Sequence, residues 1–156
     1  MSNQENRQIV NQWLRELSGD SELIFSLDDN GACGLAGESL ECMVEMPEGS
    51  DSFYLSASLM PLPADKRDDF MLQLLTLNMF QHETRGATLA VDPMDEHVVF
   101  CYTREVDATD ANLFRNILNN FLDTGKNLVD QLTAGAEEKD DVPTIPASHH
   151  TAFITP

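Results

Sequence analysis

Positive charge is scarce in this chain. Lysine and arginine together number 9 against 27 aspartates and glutamates, which leaves a formal net charge of −18 over 156 residues. Such a surface repels DNA, RNA and anionic lipid and favours basic or apolar partners, so nucleic acid is not expected as a partner. The same acidity also serves solubility by itself. Cysteine is scarce too. Cys33, Cys42 and Cys101 are odd in number, widely spaced and form no C-x-x-C, a usage that fits a reducing cytoplasm. Cys101 stands in an alternating apolar run and is expected in the core. No run of 18 apolar residues is present, so membrane insertion is not expected. The opening "MSNQENRQIV" has neither the basic nor the apolar region of a signal peptide.

Catalytic and metal-binding patterns are missing as well. The four histidines are His82, His97, His149 and His150, and none has ligand spacing to a second His or Cys in an ordered element. "DDNG" starts like a calcium loop but lacks the alternating ligands and the closing Glu. There is no phosphate-binding glycine loop and no nucleophile elbow. The acid pairs Asp28-Asp29, Asp68-Asp69 and Asp140-Asp141 fall in a turn, a helix start and a tail. Those are solvated positions, poor for raising a carboxylate pKa. The expectation is a protein without catalytic residues, metal or cofactor.

What the sequence does have is regular patterning. "SNQE" reads as a capping box, with Ser2 at the start and Glu5 reaching back. Ile9, Val10, Trp13, Leu14 and Leu17 then recur at helical spacing over an arc of about 140°. "SGD" ends this first helix, with Gly19 suited to a left-handed cap. Strand candidates follow in "ELIFSL", "ACGLAG" and "SLECMVEM". Asn30-Gly31 between the first two is a hairpin signal of the type that needs positive φ at both positions. "FYLSASLM" (53–60) alternates as a half-buried antiparallel strand.

Pro61 and Pro63 close that strand, and Asp65 is the expected N-cap of a second helix. "ATLAVD" and "HVVFCYT" read as two more strands joined by "PMDE". "DATD" (107–110) opens a long third helix. Its apolar residues, from Phe114 to Leu132, share one arc of about 140°. Gly125 lies inside that arc; it either allows close backbone approach or is a weak point costing roughly 1 kcal/mol. From Thr133 the pattern stops, and 133–156 reads as a flexible tail, acidic and then Pro/Ser/Thr-rich. The order is α-β-β-β-α-β-β-α, an α+β fold with helices on a twisted antiparallel sheet, in one domain over 1–132.

The second helix, "FMLQLLTLNMFQHE", raises a separate question. On a helical wheel, Leu74 and Leu77 lie beside Phe70. Measured round the wheel from Phe70, Leu75 lies at about 140°, Met79 at about 180°, Leu72 at about 200° and Phe80 at about 280°. A helix packed on one sheet needs an apolar stripe only slightly wider than about 100°. The surplus is either buried within the domain or covered by a second copy of the chain. Few layers are available in a domain this small, and two-fold dimers are the commonest assembly, which favours the second copy.

The stretch from Leu75 to Phe121 resembles the class I type III secretion chaperones of the Tir-chaperone type. The likeness rests on the second helix with its Leu77-Asn78 pair, the turn at Gly86, the strand with Leu89 and the "DAT" entry (107–109) to the last helix. It extends over about residues 3 to 132 and includes the low pI and the element order. The resemblance implies a cytoplasmic bacterial homodimer, with no enzymatic activity, that binds the N-terminal region of a secreted effector in extended form. It maps the dimer contact to Leu72, Leu75, Met79 and Phe80, joined by Leu89 and Val91. It maps effector contact to Ile9, Trp13, Phe25 and Leu35. Ile9 and Trp13 have a rival role as the face of the first helix that packs on the sheet. Docking of the tail to the export apparatus stays open, as does a regulatory binding module of the same fold with no secretion role.

Overall fold

The protein, seen in a computed structural model, is described over residues 3–20 and 22–137. Helix α1 (Asn3–Ser18) is followed by strands β1 (Ala32–Ala36), β2 (Glu41–Glu45) and β3 (Ser52–Pro61). Helix α2 (Arg67–Phe80) leads into β4 (Thr88–Asp92) and β5 (His97–Glu105), and α3 (Ala111–Glu137) closes the chain. All neighbouring strands are antiparallel, in the order β1-β2-β3-β5-β4. This is the α+β class and the element order expected, and of the four strand candidates between the first two helices the three from "ACGLAG" onward form.

Alternation along each strand divides the sheet into two faces. Cys33, Leu35, Cys42, Val44, Phe53, Leu55, Ala57, Val98, Phe100 and Leu89 are buried on one face. The register stacks them across strands: Val44 opposes Leu55, Ala57 opposes Phe100, and Phe100 opposes Leu89. The amphipathic helices α1 and α3 supply the other half of this core through Val10, Trp13, Leu14, Phe114, Leu118, Phe121, Leu128 and Leu132. Trp13, Phe53 and Phe114 form an aromatic knot. The Trp13 and Phe114 centroids lie 5.3 Å apart, and both rings meet Phe53 edge-on. Such pairs contribute roughly 0.5–1.5 kcal/mol beyond their buried area.

Gly125 serves close approach. A Cβ there would stand 2.6 Å from Leu40 Cδ2 and within 3.6 Å of Phe100. The missing side chain lets α3 settle onto the β1–β2 turn and the sheet. At its N-terminus α3 is capped by Asp110, whose Oδ1 accepts a 2.8 Å bond from the Leu113 N–H. Thr109 ties the same corner to β5: its hydroxyl donates to the Glu105 carbonyl and accepts from Arg104 Nε.

Several expectations need correction. Residues 22–27 form no strand. The Phe25 N–H donates to Ser18 Oγ at 2.8 Å and the Leu27 N–H to Asn11 Oδ1 at 2.7 Å, so α1 side chains take the place of a neighbouring strand. The Asn30-Gly31 hairpin is therefore absent. Asp28 organises the turn instead, its Oδ1 accepting from the N–H groups of Asn30 and Ala32. Gly31 alone of that pair has positive φ, +82°, and a Cβ on it would run into the Met46 carbonyl and the Arg7 guanidinium. The hairpin that forms joins β1 to β2 through Gly37–Leu40.

Asp65 does not cap α2. Lys66 holds the N-cap position in left-handed conformation without a side-chain cap bond. Cys101 is half-buried rather than core. It opposes Ser56 and Thr88, which puts it on the sheet face away from α1 and α3. Helix α3 runs through Glu137, five residues beyond the expected boundary at Leu132. The Ser2 capping box and residues 138–156 of the tail lie outside the described residues.

Candidate interaction surfaces

Helix α2 lies at the β4 edge of the sheet. Its Phe70 and Leu74 are buried, and Met71 and Leu77 are half-buried against the core. Asn78 fixes its position: Nδ2 donates to the Leu89 carbonyl and Oδ1 accepts from the Leu89 N–H, both at 2.8 Å. The opposite face is uncovered. Leu72, Leu75 and Met79 are 64%, 66% and 66% exposed and form one stripe at i, i+3 and i+7. Burying each such side chain is worth roughly 1.5–3 kcal/mol, so the chain alone forgoes several kcal/mol here. Of the other residues mapped to this contact, Val91 is half-buried and Leu89 is buried in the core. The side chain of Phe80 lies outside the described residues.

A second apolar surface lies along α1 and the extended segment after it. Ile9 and Phe25 are half-buried at the margin of the core. Trp13 and Leu35 are buried, at 6% and 7% exposure, so both serve as core residues of the single chain. Leu23 and Ile24 point outward and are 70% and 73% exposed. The strand expected at "ELIFSL" did not single them out, and no strand forms there. Asn11 and Ser18, polar residues on the α1 face nearest that segment, were the available signal. Beside it runs β1, an edge strand of the sheet.

The outer face of the sheet is a shallow concavity of about 710 Å³, floored by Gly34, Ser56, Ser58, Val99 and Met43. Small side chains leave room there for an extended chain or a side chain to lie across the strands. Burial disfavours the thiolate form of the cysteines of the sheet. Burial pushes the Cys42 thiol up to about 12, partly offset by a hydrogen bond from the Ser56 backbone. Burial also raises Cys33 and Cys101, so all three stay protonated at neutral pH and are poor nucleophiles. Among the described residues, no group of three His, Cys, Asp or Glu could hold a metal, and no helix is long and apolar enough to cross a membrane. The arrangement is suited to binding: two uncovered apolar surfaces on a rigid α+β frame with an acidic exterior.

That class of protein has a family. Residues 12–128 match the Tir chaperone protein (CesT) family, and the chain belongs to it. No curated protein matches the sequence. Among solved structures, the chain is similar to one in the ExsC–ExsE complex, with a TM-score of 0.70 and 19% identity, covering 81% of this chain and 95% of that one. It is similar to one in the complex of the Yersinia pestis type III secretion chaperone SycH with a fragment of YscM2, with a TM-score of 0.59 and 13% identity, covering 79% and 98%. It is also similar to YbjN, a candidate transcription regulator from E. coli, with a TM-score of 0.57 and 14% identity, covering 84% and 92%. At these identities the likeness is one of fold.

Proposed function

We propose that this chain is a type III secretion chaperone. As a homodimer in the bacterial cytoplasm it binds the N-terminal region of a secreted effector and keeps that region non-globular and ready for export. Membership of the Tir chaperone protein (CesT) family over residues 12–128 carries this reading. The similar complexes ExsC–ExsE and SycH–YscM2 add support, since in both a chain of this fold is held with a second protein.

The α2 stripe is assigned to the dimer. Leu72, Leu75 and Met79 meet their counterparts across a two-fold axis, with Phe80 and Val91 beside them and Leu89 holding the helix through Asn78. The effector is assigned to the α1 side. Ile9 and Phe25, extended by Leu23 and Ile24, receive apolar side chains, while Trp13 and Leu35 form the floor. The edge of β1 offers backbone groups for strand addition. Binding of this kind needs no covalent step, no cofactor and no nucleotide, and no catalytic role is assigned to any residue. A polar, basic leader is attracted by the net charge of −18.

The test is co-expression of the chain with the N-terminal region of the protein encoded next to it. Co-purification, with loss of effector secretion on deletion of the chain, is the expected result. Separate elution together with unchanged secretion would sink the reading. A second reading, a regulatory binding module with no secretion role, has the likeness to YbjN in its favour. It predicts binding to a folded partner instead of an extended leader.

A further inference from the structure

The outer face of the sheet carries a charge pattern of its own. On the neighbouring strands β3 and β5 its outward side chains are Tyr54, Ser56 and Ser58, and Val99, Cys101 and Thr103, all uncharged. Met43 extends this field onto β2, opposite Ser56. Met43 and Tyr54 are 41% and 37% exposed, large apolar groups left open to water. Carboxylates stand on both flanks. Glu41 and Glu45 lie two residues to either side of Met43 on β2 and so share its face. Asp92 lies across the field on β4, and Glu105 at the end of β5. Burial, and after it the charge of Glu45, raises the Cys101 thiol, which sets that carboxylate close to the field. The five strands contain a single Lys or Arg, Arg104. By alternation it belongs to the other face, where it binds the Thr109 hydroxyl and the Ala108 carbonyl.

Room alone does not choose the occupant; width and hydrogen bonding do. From β2 to β4 is three strand spacings, about 14 Å, and a helix with its side chains is about 10–12 Å across. The nine residues of β5 run about 30 Å, the length of about 20 helical residues. An extended segment lying there would bury backbone groups without partners, because β3 and β5 are already paired on both sides and the face offers side chains. A helix satisfies its own backbone. A second copy of the chain would set the same carboxylates against one another. Lys and Arg on both sides of an apolar stripe answer the carboxylates on both sides of the field.

We propose that the outer face of the sheet is the docking site for a basic amphipathic helix of a partner protein. The apolar stripe of that helix lies along β3 and β5 over Met43, Tyr54 and Val99, and its cations pair with Glu41 and Glu45 on one side and Asp92 and Glu105 on the other. Helix α1, to which the effector is assigned, packs on the opposite face, so both surfaces can be occupied at once. The site stands whether or not the chain is a secretion chaperone.

The probe is a labelled leucine–lysine peptide of about 18 residues, its leucines patterned onto one helical face, titrated with the full chain at physiological salt and read by fluorescence anisotropy. An isomer of the same composition with its leucines scattered is expected to bind about tenfold more weakly or worse. Met43→Lys removes an apolar contact and adds a like charge, and should weaken the patterned peptide about tenfold or more. Asn116→Lys adds the same charge at an exposed position of α3, on the other layer, and should weaken it less than about twofold. If Met43→Lys does not fold, Tyr54→Lys makes the same comparison. Glu41→Gln with Glu45→Gln should weaken binding and flatten its salt dependence. Equal binding of the two peptides, or equal weakening by Met43→Lys and Asn116→Lys, would show attraction to net charge alone and overturn the proposal. A fall in the mass of the peptide-free chain on Met43→Lys, read by light scattering, would overturn it too and assign the face to a second copy. Co-purification with an effector leader is read separately, so either reading can fail without the other.

Discussion

Asn78 pairs with Leu89 as a neighbouring strand would. Its side-chain amide accepts from the Leu89 N–H and donates to the Leu89 carbonyl, both at 2.8 Å. One side chain of α2 thus satisfies both backbone groups of a residue on the outer rim of β4, the last strand of the sheet. Exposed strand edges invite further pairing, and proteins cover them with helices, charges or prolines. The Asn78 contact also sets how α2 lies on the sheet. With Phe70 and Leu74 turned to the core, Leu72, Leu75 and Met79 are left facing away from it.

Replacing Asn78 with alanine removes both bonds and leaves two backbone groups of β4 without partners. Each such bond is worth roughly 0.5–1.5 kcal/mol net, so the loss is expected at about 2 kcal/mol in urea unfolding. Asn78→Asp keeps the acceptor but sets a carboxylate against the Leu89 carbonyl, and is expected to lose at least as much. A loss below about 0.5 kcal/mol for both variants would show that α2 is held by its apolar contacts alone.

The α2 stripe is expected to hold two copies together. Leu75→Glu places a charge at the centre of the stripe, and light scattering should then give the mass of one chain where the wild type gives two. Far-UV circular dichroism should be unchanged, because Leu75 is exposed in the single chain. A wild-type chain that runs as a monomer at micromolar concentration would remove the dimer from the assignment.

The order of elements was legible because each strand alternates and α1 and α3 each have one clean apolar arc. The greasy circumference of α2 was legible for the same reason: the wheel marks Leu72, Leu75, Met79 and Phe80 as surplus, and the first three are exposed. What escaped was set by single side chains acting at a distance in sequence. Nothing local to "ELIFSL" reveals that Asn11 and Ser18 will take its backbone N–H groups. The role of Asn78 depends in the same way on a strand that begins ten residues later. Alternation could also not say which side of β5 faces the helices, and Cys101 fell on the other one.

Gly125 should tolerate alanine and reject anything larger. A methyl group there meets Leu40 Cδ2 at 2.6 Å, and the end of a half-buried leucine can move aside. The gain in helix propensity, roughly 1 kcal/mol, then offsets the displacement, and Gly125→Ala is expected within about 1 kcal/mol of wild type. Gly125→Leu has no such escape, since Leu59 and Phe100 also stand within 3.6 Å of that Cβ. Overpacking of this kind costs roughly 1–3 kcal/mol, to be read as a shifted urea midpoint at unchanged slope.

Stability should fall as pH rises above 9, with Cys42 as one identifiable source. Burial raises its thiol from 9.0 to about 12 in the folded chain, while in the unfolded chain it ionises near the ordinary value. Between those values the folded state keeps a proton that the unfolded state has lost, so rising pH favours unfolding. The contribution is fully present below pH 9 and is lost progressively towards 12, with a limiting slope of about 1.4 kcal/mol per pH unit. The measurement is a comparison with a variant that lacks the thiol. Urea midpoints from pH 8 to 11 should converge for the wild type and Cys42→Ala, the wild type starting higher and losing more. Parallel curves would mean that the Cys42 thiol ionises in the folded chain as readily as in the unfolded one.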